Sequence, residues 1–135
     1  MYKHILVPIA PDHNPQTGEA MEIAQSLLAD GGKITAITVI EPIPGYVATY
    51  IPEGMAEQQR EDMVAQLKAD LGGVKNADAH LVTGHPGTVI VDYSNEHGID
   101  CIVIASHKPE LQDFFLGSTA ARVVRHARCA VHVIR

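Results

Sequence analysis

The segment Leu116-Gly117-Ser118-Thr119-Ala120 carries the residue types best suited to chemistry in this chain. A Gly-Ser-Thr run that opens a helix presents N–H groups without intrahelical partners, two hydroxyls and the positive end of the helix dipole. Such an arrangement holds anions. His107 and Lys108, in the loop just before it, add positive charge. The same run also suits a structural role, with Ser118 or Thr119 as the helix N-cap, and both readings stay open at this level. The phosphate loop Gly-x4-Gly-Lys-Ser/Thr, the Gly-x-Gly-x2-Gly fingerprint and the Gly-x-Ser-x-Gly elbow are absent, so Ser106 has no hydrolase context.

Other reactive side chains read as structural. The eight histidines are scattered, with His80 and His85 about a strand end and His126 and His132 about the last turn. No His-Glu-x2-His and no Cys/His tetrad occurs, so no metal is expected. Cys101 and Cys129 sit in or beside apolar runs and read as free thiols, since two cysteines make no disulfide framework. Arg122, Arg125 and Arg128 recur at threes on one helical segment, and Glu57, Glu61 and Asp62 gather on another. Both read as solvated faces.

Ten Lys and Arg stand against 16 Asp and Glu, a net charge of −6, and aromatics make up 4% of the 135 residues. A nucleic-acid binder would show a basic stripe or stacking platform, so none is expected. With 46% apolar residues the chain is one globular domain's worth of sequence. No apolar run approaches the roughly 18 residues of a membrane span, and Ile5-Leu6-Val7 stops at Pro8, too short for a signal core.

The elements that must position these groups alternate between two periods. Short apolar runs occur at 5–9, 34–40, 79–82, 99–105 and 130–134, as suits strands covered on both faces. Between them, helical spacing places Ala20, Ile23, Ala24, Leu27 and Leu28 on one face of residues 16–29, with Gly31-Gly32 as the stop. Met55, Met63, Val64 and Leu67 share a face of residues 54–71, ended by Gly72-Gly73. Val89, Ile90 and Tyr93 share one in 86–97, with Pro86 in the first turn and Gly98 as stop. Ala120, Val123, Val124 and Ala127 share the last.

Strand–helix alternation of this kind predicts an α/β domain, a parallel sheet with right-handed crossovers and helices on both faces. Ligands then bind beyond the carboxyl ends of the strands, where the winding reverses. The loops there are 10–14, 41–52, 83–87 and 106–113. The second is long and holds three prolines, Gly45, Tyr46 and Tyr50, and is either a flap over a site or an arm for a partner. Its two tyrosines are expected to pack locally.

Three stretches together resemble the universal stress protein family, over essentially the whole chain. Lys3-His4-Ile5-Leu6-Val7-Pro8-Ile9 looks like its first strand, and Gly84-His85-Pro86 followed by Ile90 like its Gly-x-Pro turn. Ile104-Ala105-Ser106-His107-Lys108-Pro109, Leu116-Gly117-Ser118, Val123-Val124-Arg125-His126-Ala127 and Cys129-Ala130-Val131-His132-Val133-Ile134 are similar to the UspF-like branch. The resemblance implies a single domain over 1–135, a five-stranded parallel doubly wound sheet of order 3-2-1-4-5, Rossmann-like and adenine nucleotide alpha hydrolase-like.

It also implies a cytoplasmic homodimer that binds ATP, with Mg as its companion. Pro8, Ile9 and Ala10 would then line the base and ribose, Val39 would meet the adenine through its backbone, and Ile104 and Ala105 would form the floor. His107, Lys108, Gly117, Ser118 and Thr119 would hold phosphates. The family's nucleotide pattern is altered here. Ala105 and Lys108 stand at its early glycines, eight residues rather than nine precede Gly117, and Ala10 replaces the first-strand aspartate, with Asp12 two residues on.

Three functions compete: an ATP-binding regulatory or adaptor module, a scaffold that binds a protein partner and no nucleotide, and a slow ATPase using Asp12 and Lys108. The last strand, Ala130–Ile134, is expected at a sheet edge, covered by a second copy of the chain.

Overall fold

The computed structural model describes residues 1–11, 16–106 and 116–135. The elements run β1 (Tyr2–Pro8), α1 (Gln16–Leu27), β2 (Leu28–Ile40), α2 (Gly45–Ala48), α3 (Met55–Leu71), β3 (Ala77–Thr83), α4 (Pro86–Glu96), β4 (Cys101–Ala105), α5 (Ser118–His126) and β5 (Ala130–Ile134). All strand pairs are parallel, in the order β3-β2-β1-β4-β5. This is the expected doubly wound arrangement.

Side-chain alternation in the strands splits the core in two. Ile5 and Val7 of β1 join Ile34 and Ala36 of β2 under α1 and α3, where Ala20, Met21, Ala24, Leu67 and Leu71 close the layer. Leu6, Ile37, Val39, Ile102 and Ile104 point the other way, under Ile90 and Val91 of α4 and Ala120 and Val123 of α5. The strands read as unbroken apolar runs because each face has its own helical cover. Cys101 is a buried free thiol, and burial pushes it up to about 11. A thiol so held is a packing group, not a nucleophile.

Several local expectations need correcting. The first helix ends at Leu27, and Gly31-Gly32 lies inside β2 rather than after the helix. The pairing Tyr2↔Leu28 followed by His4↔Lys33 leaves residues 29–32 as a bulge, which Gly31 supports with φ 79°. The strand pairing of β3 begins at Ala77, two residues earlier than the apolar run. Met55 and Val124 are exposed, not part of the core. Tyr46 and Tyr50 do not pack locally; they are 76% and 87% exposed. Their connection holds the short helix α2, none of whose residues is buried.

Candidate functional site

The carboxyl ends of β1, β2 and β4 face the N-termini of α4 and α5 across a cavity of about 520 Å³. It lies where the sheet's winding reverses, between β1 and β4, as this topology requires. Pro8, Ile9, Ala10 and Pro11 form the wall from β1, and Ile37, Val39 and Glu41 the wall from β2. Pro86 and Ile90, one turn apart in α4, close the apolar end. Ile104, Ala105 and Ser106 come from β4, and Gly117, Ser118, Thr119 and Ala120 from the start of α5.

Backbone bonds hold this rim in place. The N–H of Ile9 donates to the Ile37 carbonyl at 2.8 Å, so β1 stays fixed to β2 beyond its last ladder pair. The N–H of Ser106 donates to the Ile134 carbonyl, and that of Gly117 to the Ser106 carbonyl, each at 2.7 Å. The start of α5 is thereby tied to the end of β4. Gly84 lets the chain turn into α4, because a Cβ there would stand 2.6 Å from Val89 Cγ2.

The structure answers the question left open at Ser118 and Thr119. The N-cap is Gly117, and no side-chain hydrogen bond caps the helix. Ser118 and Thr119 sit within the first turn and line the cavity. The first turn of α5, with its Ser118 and Thr119, therefore lines one end of the cavity, while its other end is apolar. A ligand with an apolar ring at one end and an anion at the other matches that polarity.

Nine of the residues expected at the site line this one cavity: Pro8, Ile9, Ala10, Val39, Ile104, Ala105, Gly117, Ser118 and Thr119. His107 and Lys108 lie outside the described residues, as does Asp12. Glu41, Ile37, Pro86 and Ile90 were not among the expected ligand contacts, although Glu41 and Pro86 lie in two of the loops expected at the site. Ile37 lies two residues before Val39 in β2, Glu41 follows the strand directly, and Pro86 and Ile90 share a face of α4. Among the described residues no group of three or more His, Cys, Asp or Glu is placed to hold a metal.

A second cavity of about 280 Å³ lies on the opposite face, between α3 and the ends of β1 and β2. Asp62, Gln66 and Asp70 line it beside Thr38. Its two carboxylates repel anions, so the phosphate-type reading belongs to the larger cavity alone. No helix among the described residues is long and apolar enough to cross a membrane.

The fold recurs in known proteins. A family model described as "Universal stress protein family" matches residues 1–135. Universal stress protein G of Shigella flexneri is 27% identical over 148 residues, covering all of both chains. The structure of universal stress protein UspA from Lactobacillus plantarum has a TM-score of 0.71 and 28% identity, over 99% of this chain and 98% of that one. A universal stress protein from Archaeoglobus fulgidus, solved in complex with dAMP, has a TM-score of 0.59 and 20% identity, over 99% and 98%.

Proposed function

The chain belongs to the universal stress protein family over residues 1–135, and we propose that it is a cytoplasmic, ATP-binding regulatory and adaptor module of the bacterial stress response. The observation that carries this reading is the polarity of the larger cavity. Its apolar end, formed by Val39, Pro86 and Ile90, suits a purine ring, and its α5 end suits phosphates. The volume lies within the range of small-molecule sites. A family protein in complex with dAMP lends support, at the level of shared fold.

In this reading Pro8, Ile9 and Ala10 lie along the base and sugar, Ile104 and Ala105 beneath them, and Gly117, Ser118 and Thr119 against the phosphates. The family resemblance gives His107 and Lys108 a phosphate-holding role as well. Mg²⁺ would arrive with ATP, held chiefly by the phosphates themselves. The adaptor role rests on residues 41–55, where Ile43, Tyr46, Val47, Tyr50 and Met55 are all exposed. So much apolar surface in one segment suits a protein partner. A second copy of the chain pairing along β5 completes the proposal.

The experiment is thermal unfolding of the full chain with and without millimolar Mg-ATP. Ligand that binds only the folded state adds RT ln(1 + [L]/Kd), about 2.7 kcal/mol at a hundredfold excess over Kd. The unfolding temperature is expected to rise by several degrees. An unchanged temperature removes ATP from the reading and leaves the protein-binding scaffold, which the exposed 41–55 segment favours.

A further inference from the structure

The smaller cavity, about 280 Å³ on the α3 side of the sheet, joins a buried hydroxyl, an apolar floor and a carboxylate rim. Thr38 lines it and is 4% exposed. Strand alternation sets its direction: Ile37 and Val39 pack beneath α4 and α5, so Thr38 turns toward α3. A hydroxyl buried this deeply is ordinarily hydrogen-bonded. That of Thr38 makes no hydrogen bond to another described residue, and the space it faces is the cavity. Ile9 and Leu67, both buried, and Met63 supply the apolar floor.

Asp62, Gln66 and Asp70 form the rim, one turn apart along α3. The Gln58 amide donates to Asp62 Oδ1 at 2.9 Å, and the Gln66 amide to Asp70 Oδ1 at 3.0 Å. Those amides are neutral, and no ion pair with another described residue engages Asp62. Asp70 brings a second negative charge two turns further, roughly 12 Å along the helix axis at about 1.5 Å per residue. A bare divalent cation suits this rim poorly, because calcium takes about six or more oxygen ligands. Among the described residues no group of three or more His, Cys, Asp or Glu can hold a metal. An ammonium only donates hydrogen bonds, and carboxylates and a free hydroxyl accept them. The apolar floor between them suits a methylene chain.

We propose that this cavity binds a linear aliphatic polyamine. Its terminal ammonium groups lie at Asp62 and Asp70, its methylenes along Ile9, Met63 and Leu67, and one N–H on the Thr38 hydroxyl. The proposal does not rest on the nucleotide reading, since the two cavities lie on opposite faces of the sheet, and failure of either leaves the other standing.

The test is calorimetric titration of the full chain, without nucleotide and at low salt, where rim charges are least screened. The probes are spermidine and hexylamine, the second carrying a single ammonium on an aliphatic chain. Spermidine is expected to saturate one site per chain and to bind on the order of tenfold more tightly than hexylamine. Asp62→Asn is expected to weaken spermidine by on the order of tenfold. Glu61→Gln removes the same charge from an exposed position of the same helix outside the cavity and is expected to change nothing. Thr38→Val keeps the shape of the side chain and removes the hydroxyl. Its unfolding temperature without ligand is expected to hold or rise, since no bond within the described fold is lost, while spermidine affinity falls several-fold. Absence of saturable binding overturns the proposal. So does equal weakening by Asp62→Asn and Glu61→Gln, which marks attraction to net charge alone. Hexylamine binding as tightly as spermidine overturns it by leaving the second ammonium without a role. A lowered unfolding temperature in Thr38→Val overturns it by assigning the hydroxyl to the fold.

Discussion

His4 lies near the start of β1, at the end of the sheet away from the cavity, where its Nε2 lies 2.8 Å from the Thr35 hydroxyl. Beside it, Lys33 Nζ and His80 Nε2 approach Asp78 Oδ2 at 3.0 and 3.4 Å. Burial, and then the Lys33 ammonium, hold His4 below its ordinary value of 6.5, against the opposing pull of Asp78, the His97 carbonyl and Asp100. For Asp78, burial pushes up, but Thr35, Lys33 and His80 outweigh it and hold the carboxyl below 3.8. Because folded His4 favours its neutral form, its contribution to stability is complete above pH 6.5 and is lost as pH falls below that value. The Asp78 contribution is complete above 3.8 and is lost only as pH falls through its lowered folded value. The two windows are separate. Denaturant unfolding at about pH 7.5 and about pH 5.5 therefore spans the His4 window and leaves out that of Asp78. The protein is expected to be less stable at the lower pH, and His4→Gln, which keeps a hydrogen-bonding group near Thr35 but cannot charge, is expected to flatten that loss. An equal loss in His4→Gln would place the acid sensitivity elsewhere.

At the scale of elements, the start of α5 separates stability from binding. Gly117 caps the helix without a side chain, so the first turn has no covalently attached anion. Ser118→Asp would supply one. A carboxylate in the first turn stabilises a helix by about 0.3–1 kcal/mol. The same carboxylate points its charge at the end of the cavity proposed to hold phosphates. The variant is expected to unfold at the same or slightly higher temperature while ATP affinity drops by on the order of tenfold or more. Loss of both together would show that Ser118 serves folding rather than ligand. The Gly117-Ser118-Thr119 run was legible in the sequence as a helix start because its composition is local. Glu41 was legible only as the start of the 41–52 loop, since only the pairing of β1 with β2 brings that point to the same cavity as Ala10. The exposure of Tyr46 and Tyr50 was not legible, because nothing in an aromatic residue's identity tells whether the rest of the chain reaches it. The cap falls on neither Ser118 nor Thr119 but on Gly117, since glycine and serine both start helices and the choice is made by the tie from Gly117 to Ser106.

For the whole molecule, the parallel sheet with helices on both faces was legible because long apolar runs alternate with one-sided helices joined by right-handed crossovers, while the strand order came from the resemblance to the family. The extension of β2 back to Leu28 was hidden, since Gly31-Gly32 reads as a helix stop and only pairing with Tyr2 makes it part of a strand. The same topology leaves β5 paired on one side only, with β4. Ser106 donates to the Ile134 carbonyl, so Ile134 points its backbone toward β4. In a parallel strand the N–H and C=O of one residue face the same side, and neighbours face opposite sides. Val133 and Val131 therefore turn their N–H groups toward the open edge, where the proposed second copy would pair. Proline at position 131 removes one outward donor and no bond to β4, and edge strands tolerate proline. Sedimentation of the unaltered protein at micromolar concentration is expected to give twice the chain's mass, and Val131→Pro the mass of one chain with its fold kept. A monomer in the first case, or an unaffected dimer in the second, would leave β5 an uncovered edge and move any interface to another face.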